Sequence, residues 1–322
     1  MFIVFVLFIL SILLIIKGGD LFTDGAIWLA TYTGVPQVII GATVVSLATT
    51  VPEFTITVLA ALTGHPDLAV GNVIGSSTVN IGLILSLSII ISPLVVTAFM
   101  RKGSLIMVFT GIVFVLLLQN KVITSINAVY LLAMLIAYFI YNFRQIKAPK
   151  SNLSDSLQIN FEIISKDNRA FKKNIFSIII GASLIIIGSR LLINNGSKIA
   201  DFLGVPELII GLTLIALGTS LPELVTAVSS ALKKNPEIGI GNVLGANFLN
   251  MTMTFGGTAL IAPIPINNQT LTLDAPFMLI LMAATAAFMT FFKKLNIIHG
   301  LIILSLYIIY LYLIVLNSYI HS

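Results

Sequence analysis

The segment Gly41-Ala-Thr-Val-Val-Ser-Leu-Ala-Thr-Thr-Val-Pro-Glu53 decides how the chain is read. It is apolar enough to cross a bilayer, yet it carries hydroxyls, a proline and a carboxylate near its middle. A charged carboxylate at that depth costs on the order of a few kcal/mol or more, so an intramembrane glutamate marks a functional site by default. The chain repeats the arrangement 170 residues later as Gly211-Leu-Thr-Leu-Ile-Ala-Leu-Gly-Thr-Ser-Leu-Pro-Glu223. Two such glutamates in one local pattern read as a site assembled from two halves.

Working outward, the repetition extends well beyond the glutamates. Gly34-Val-Pro36 answers Gly204-Val-Pro206, Pro66 answers Pro236, Gly71-Asn-Val73 answers Gly241-Asn-Val243, and Asn80 answers Asn250. From Gly34 to Asn80, about 20 of 47 positions are identical at the constant offset of 170. The surroundings are those of a polytopic membrane protein: 58% of the 322 residues are hydrophobic and 9% charged, with a mean hydropathy of +1.09. Apolar runs near 20 residues match a hydrocarbon core of roughly 30 Å.

Ten spans are expected, near 2–17, 37–62, 70–92, 104–119, 124–142, 174–193, 206–232, 239–262, 273–292 and 297–317. The all-α chain then divides into a first five-helix repeat (1–142, with its repeat core at 34–82), a linker (143–173) and a second repeat (174–322, core 204–252). The linker is the one long polar stretch, and it is read as cytoplasmic. An odd number of spans per half places the second half upside down relative to the first, an architecture shared by many secondary transporters. With the N-terminus outside, fourteen Lys and Arg fall in inner loops and only Lys121, Arg190 and Lys198 in outer ones. That asymmetry predicts extracytoplasmic termini. The first apolar run lacks a basic leader, so it is read as a retained helix.

On a helix, Ser46, Thr49, Thr50 and Glu53 lie at i, i+3, i+4 and i+7, a single face. The second half offers Ala216, Thr219, Ser220 and Glu223. Pro52 and Pro222 lack an N–H, so the carbonyls of Ala48 and Gly218 lose their helical donors and a kink is expected nearby. Asn72, Ser76 and Asn80 form a polar stripe on the following span, answered by Asn242, Ala246 and Asn250, with Asn247 adjacent. Gly71 and Gly75, like Gly241 and Gly245, form small-residue faces for close helix packing. The donor set is all oxygen, with no His or Cys in either of the segments 41–53 and 211–223. Such sets suit hard cations: Ca²⁺ takes six to eight oxygens at about 2.3–2.6 Å, whereas Zn²⁺ and Cu²⁺ favour nitrogen or sulfur.

The duplicated Thr-(Thr/Ser)-(Val/Leu)-Pro-Glu patterns, each followed by Gly-Asn-Val-(Ile/Leu)-Gly, resemble the two alpha repeats of the sodium/calcium exchanger family of the calcium/cation antiporter superfamily. The resemblance implies a Na⁺/Ca²⁺ antiporter of the plasma membrane that needs no cofactor. It implies that Glu53 and Glu223 bind Ca²⁺ with the carbonyls of Thr49 and Thr219. Flanking Na⁺ sites would use Thr50, Ser76 and the Ser46 carbonyl on one side, Ser220 and the Ala216 carbonyl on the other, with Asn80 and Asn250 central. Three positions depart from the pattern. Ala48-Thr49-Thr50 replaces the usual Gly-Thr-Ser, Ala246 stands where the other half has Ser76, and Asn250 stands where many prokaryotic relatives carry Asp.

The missing hydroxyl at Ala246 keeps H⁺/Ca²⁺ antiport open as the alternative. A cation channel fits less well, because a channel needs sites weak enough for ions to leave quickly. An enzyme lacks a nucleophile–base pair, and without a nucleotide fingerprint the energy must come from ion gradients. Basic residues dispersed over loops do not suggest nucleic acid. His65, His299 and His321 are read as solvated, Asp20 and Asp24 as flanking the first helix end, Arg190 as a snorkelling anchor and Trp28 as interfacial packing.

Overall fold

A backbone in lipid must satisfy its own hydrogen bonds, and long apolar runs therefore fold as helices. A computed structural model of the chain describes residues 1–147, 168–202 and 216–321. In order, these form α1 (Phe2–Thr33), α2 (Gln37–Ile40), α3 (Ser46–Leu62), α4 (Pro66–Val79), α5 (Ser86–Ile91), β1 (Leu94–Val95), α6 (Ala98–Leu118), β2 (Val122–Ile123) and α7 (Ser125–Lys147). They continue as α8 (Asn168–Phe202), α9 (Ala216–Thr219), α10 (Leu221–Leu232), α11 (Pro236–Leu249), α12 (Phe255–Ile261), β3 (Ile264–Pro265), α13 (Ala275–Phe291), β4 (Lys294–Leu295) and α14 (Ile297–His321). Short π-helical turns at Gly41–Val45, Asn80–Leu85 and Asn250–Thr254 join neighbouring helices into longer rods, and one at Thr270–Asp274 leads into α13.

Among the described residues, eight helical stretches are long and apolar enough to cross a membrane. Two of the ten expected spans are not among them. The seventh, 206–232, lies partly outside the described residues, which contribute only α9 and α10. The eighth is helical from Pro236 to Ile261, but Asn242, Asn247, Asn250, Thr252, Thr254 and Thr258 make it more polar than its neighbours, and all six are buried.

Two helices outrun their expected limits. The first continues past 17 to Thr33, straight through Gly18-Gly19, and the sixth runs from Asn168 to Phe202. Close packing of the two explains both. A Cβ on Gly18 would lie 2.8 Å from the Gly181 carbonyl oxygen, and one on Gly188 would lie 3.0 Å from the Ser11 carbonyl oxygen. Asp20 and Asp24 consequently sit within a helix rather than beyond its end. Lys233 reaches them from the end of α10, 3.3 Å from Asp20 and 2.7 Å from Asp24. Helix α7 runs on to Lys147 and α8 begins at Asn168, so both ends of the 143–173 segment are helical. Its middle lies outside the described residues.

The core gathers where the two halves interleave. Phe114 of α6 meets Phe255 of α12 edge to face at 5.0 Å, among Met107, Met251, Met278 and Met282, all fully buried. Two short antiparallel ladders tie loops of opposite halves. Leu94 pairs with Leu295 and Val95 with Lys294, while Val122 pairs with Pro265 and Ile123 with Ile264. Shifting β1 by 170 residues lands on β3, and shifting β2 by 172 lands on β4, so each ladder is the image of the other. His299 corrects an expectation. It is 9% exposed, not solvated, because its Nδ1 closes the start of α14 on Asn296 and its ring packs between Phe288 and Phe292.

Candidate functional site

The face read from the sequence turns inward. Ser46, Thr49, Thr50 and Glu53 of α3, Ser76 of α4, Asn80 and Asn250 at the starts of π-helical turns, and Thr219, Ser220 and Glu223 of the second half are all at most 5% exposed. Ala216 opens α9; its side chain lies outside the described set. The expected kink takes a different form in each half. Pro52 sits inside an unbroken α3, and the irregularity falls earlier, in the π turn at Gly41–Val45. In the second half the helix breaks at Ser220 (φ −93°, ψ 10°), which lets Pro222 stand in the first turn of α10, where a missing N–H costs nothing.

Contacts across the halves close the cluster. The Thr49 hydroxyl lies 3.1 Å from Asn242 Oδ1, the hydroxyls of Ser76 and Thr219 are 3.3 Å apart, and the Asn80 amide donates to Asn247 Oδ1 at 3.1 Å. Within the first half, Asn72 donates to the Glu53 carbonyl (3.2 Å) and to the Thr57 hydroxyl (2.9 Å). Thr57 and Thr226 return their hydroxyls to the carbonyls of Glu53 and Pro222, at 2.7 and 2.8 Å. These bonds brace the backbone beside each glutamate. Sequence reasoning did not assign Thr57 or Thr226 to the site, although each follows its proline or glutamate by one helical turn.

The electrostatics are one-sided. Both carboxylate oxygens of Glu53, Glu223 Oε2, Asn80 Oδ1 and Asn250 Oδ1 are buried without a hydrogen-bond donor among the described residues. The hydroxyl oxygens of Thr50 and Ser220 are likewise unpartnered. Glu53 and Glu223 are close enough for their charges to act on each other. One hydroxyl proton, that of Thr49, faces the Ser46 carbonyl, Asn242 Oδ1 and the Glu223 carboxylate together. An unsatisfied buried acceptor costs about 1–3 kcal/mol, and more when charged. A cluster of them is stable only with a cation or protons to share. Among the described residues no three His, Asp or Glu side chains gather as a resident metal centre would need. A cavity of about 480 Å³ lies away from Glu53 and Glu223, lined by Gln37, Thr97, Lys234 and Glu237 among others.

Known proteins resemble this chain over nearly its whole length. The family model described as sodium/calcium exchanger protein matches residues 3–147 and 173–316. The chain therefore belongs to the sodium/calcium exchanger family, and it is a multi-pass membrane transporter rather than an enzyme. It is 31% identical to the inner membrane protein YrbG of Escherichia coli, over 85% of each chain. With the sodium/calcium exchanger MaX1 of Methanosarcina acetivorans it shares 25% identity over 95% of this chain and 97% of that one. Its fold superimposes on the sodium-calcium exchanger NCX_Mj, soaked with 2.5 mM Na⁺ and 10 mM Sr²⁺, with a TM-score of 0.84 and 28% identity, covering 96% of this chain and 97% of the other.

Proposed function

We propose that the chain is a secondary antiporter that exchanges Na⁺ for Ca²⁺ by alternating access, with Na⁺ influx driving Ca²⁺ export across the plasma membrane. The observation that carries this reading is the surplus of buried oxygen acceptors around Glu53 and Glu223. Two carboxylates carry the charge that one Ca²⁺ balances. Several Na⁺ do the same if hydroxyls and carbonyls complete their shells, so the site accepts either cargo but is costly to leave empty. In this reading Glu53, Glu223 and the carbonyls of Thr49 and Thr219 hold Ca²⁺. Thr50, Ser76, Ser220 and the carbonyls of Ser46 and Ala216 serve Na⁺, and Asn80 and Asn250 serve the centre. The similarity to named exchangers supports the cargo.

The ten-span inverted architecture is supported by two pairs of equivalent features. The two strand ladders exchange under the repeat shift, and Asn80 and Asn250 each begin a π-helical turn at matching positions. Fourteen inner against three outer basic residues support extracytoplasmic termini and a cytoplasmic 143–173 segment. Ala246, buried and without a hydroxyl, favours proton coupling as the second reading. Ca²⁺ uptake into proteoliposomes under separately imposed Na⁺ and H⁺ gradients decides between them. Uptake that follows the Na⁺ gradient supports Na⁺/Ca²⁺ exchange, and uptake that ignores Na⁺ and follows only the pH gradient replaces it with H⁺/Ca²⁺ exchange.

A further inference from the structure

An asparagine beside a cation is useful only if it presents its carbonyl oxygen, because the opposite flip turns two N–H groups toward the ion. What holds the flip is therefore as consequential as the asparagine itself. Asn80 is fully buried, and its amide nitrogen donates to Asn247 Oδ1 at 3.1 Å. That bond commits the nitrogen and leaves Asn80 Oδ1 as the free acceptor. The flip of Asn247 is held in turn, because its own amide nitrogen points at the Met107 sulfur, 3.6 Å away on α6. A thioether is an acceptor only, so the sulfur selects the orientation in which Asn247 offers oxygen to Asn80. All three side chains are fully buried, and water cannot substitute for a lost partner. The repeat does not supply an equivalent on the other side, since Ser77 stands where Asn247 would be.

We infer that Asn247, seated on Met107, is a positioning residue that fixes the Asn80 amide with its oxygen toward the transported cation. This rests on the assignment of Asn80 to the cation site made above. Asn247 acts through Asn80 and does not itself touch the ion.

The test is a double-mutant cycle on the full-length transporter, read as the Ca²⁺ concentration for half-maximal exchange in proteoliposomes and as Ca²⁺-dependent thermal stabilisation in detergent. Asn80→Ala and Asn247→Ala should each raise that concentration by about five-fold, the scale of one hydrogen-bond-sized ligand term. The double variant should be no worse than Asn80→Ala alone, because a residue acting through Asn80 has nothing left to position. Asn247→Asp, which keeps the acceptor oxygen, should retain wild-type affinity or better. Met107→Leu, which keeps the volume but removes the sulfur, should weaken Ca²⁺ in the same direction by less, with unfolding temperature and maximal rate unchanged. If Asn247→Ala does not fold, the Asp and Leu variants carry the test alone. Independent, multiplying effects of the Asn80 and Asn247 substitutions would overturn the positioning role while leaving the site intact. An Asn80→Ala variant with unchanged Ca²⁺ affinity would instead remove Asn80 from the site, and this inference with it.

Discussion

Helices α4 and α11 occupy the same place in the two repeats, begin with the same Pro-(Asp/Glu) step and share Gly-Asn-Val, yet they are packed differently. Every residue of α11 from Ile238 to Leu249 is buried. Gly241 and Gly245 press against the Val38–Ala42 backbone; a Cβ on Gly245 would lie 2.6 Å from the Ala42 carbonyl oxygen. In α4 Gly71 is exposed, and neither Gly71 nor Gly75 has a described neighbour where a Cβ would stand. The asparagines diverge as well: Asn242 reaches across to Thr49, while among the described residues Asn72 bonds only within its own half. Among the described residues, then, near-identical sequence meets a close neighbour in one half only; positions 208–212, which answer Val38–Ala42 in the repeat, lie outside them.

The largest effect that tests this comparison comes from the carboxylates. Glu53→Gln and Glu223→Gln should each weaken Ca²⁺ exchange by roughly 30-fold or more, the scale of removing one partner from a buried charge pair. Both should stay folded, since each removes an uncompensated buried charge. Glu53→Gln should be the more severe, because both Glu53 oxygens lack donors whereas Glu223 already faces the Thr49 hydroxyl. Normal exchange by either folded variant would remove that carboxylate from the site.

A smaller effect concerns packing. Gly241→Ala should destabilise the protein by about 1–3 kcal/mol, the usual cost of overpacking a tight core. Gly71→Ala should cost less in the same thermal-unfolding measurement. Equal damage to stability from both would erase the asymmetry. Unequal stability would sharpen it, by showing that Gly71 meets no neighbour as tight as the Val38 carbonyl that faces Gly241.

The smallest expected effect addresses Na⁺. Ala246→Ser restores the hydroxyl that Ser76 has in the other half, and should lower the Na⁺ needed for half-maximal exchange by about five-fold, a term of about 1 kcal/mol. Ca²⁺ affinity should change little, since Ca²⁺ draws more from the carboxylates. Unchanged Na⁺ dependence would mean that Ala246 does not face the ion.

The polar faces were legible because helical periodicity and the repeat agreed. Positions i, i+3, i+4 and i+7 place Ser46 to Glu53 on one side of any helix, and the structure buries that side. Other features depend on partners distant in sequence. Gly18-Gly19 reads locally as a helix end, but Gly18 is a close approach to α8 and Gly19 to Val225 of α10. Asn247 reads as a neighbour of the stripe, and its role appears only once Met107 lies 3.6 Å from it. His299 reads as a loop residue because its aromatic neighbours, Phe288 and Phe292, belong to the preceding helix and its end. The π-helical turns leave no period of their own, for each shifts the helical register without breaking the apolar run.

The paired ladders also bear on how the protein is made. Leu94 must wait for Leu295, about 200 residues downstream, and Val122 for Pro265. During synthesis the first half therefore enters the bilayer with two strand edges whose partners are still inside or ahead of the ribosome. Contacts of such long range close late. A chain stopped before Lys294 would hold its Val122–Pro265 clasp but leave Leu94 and Val95 without their partner strand.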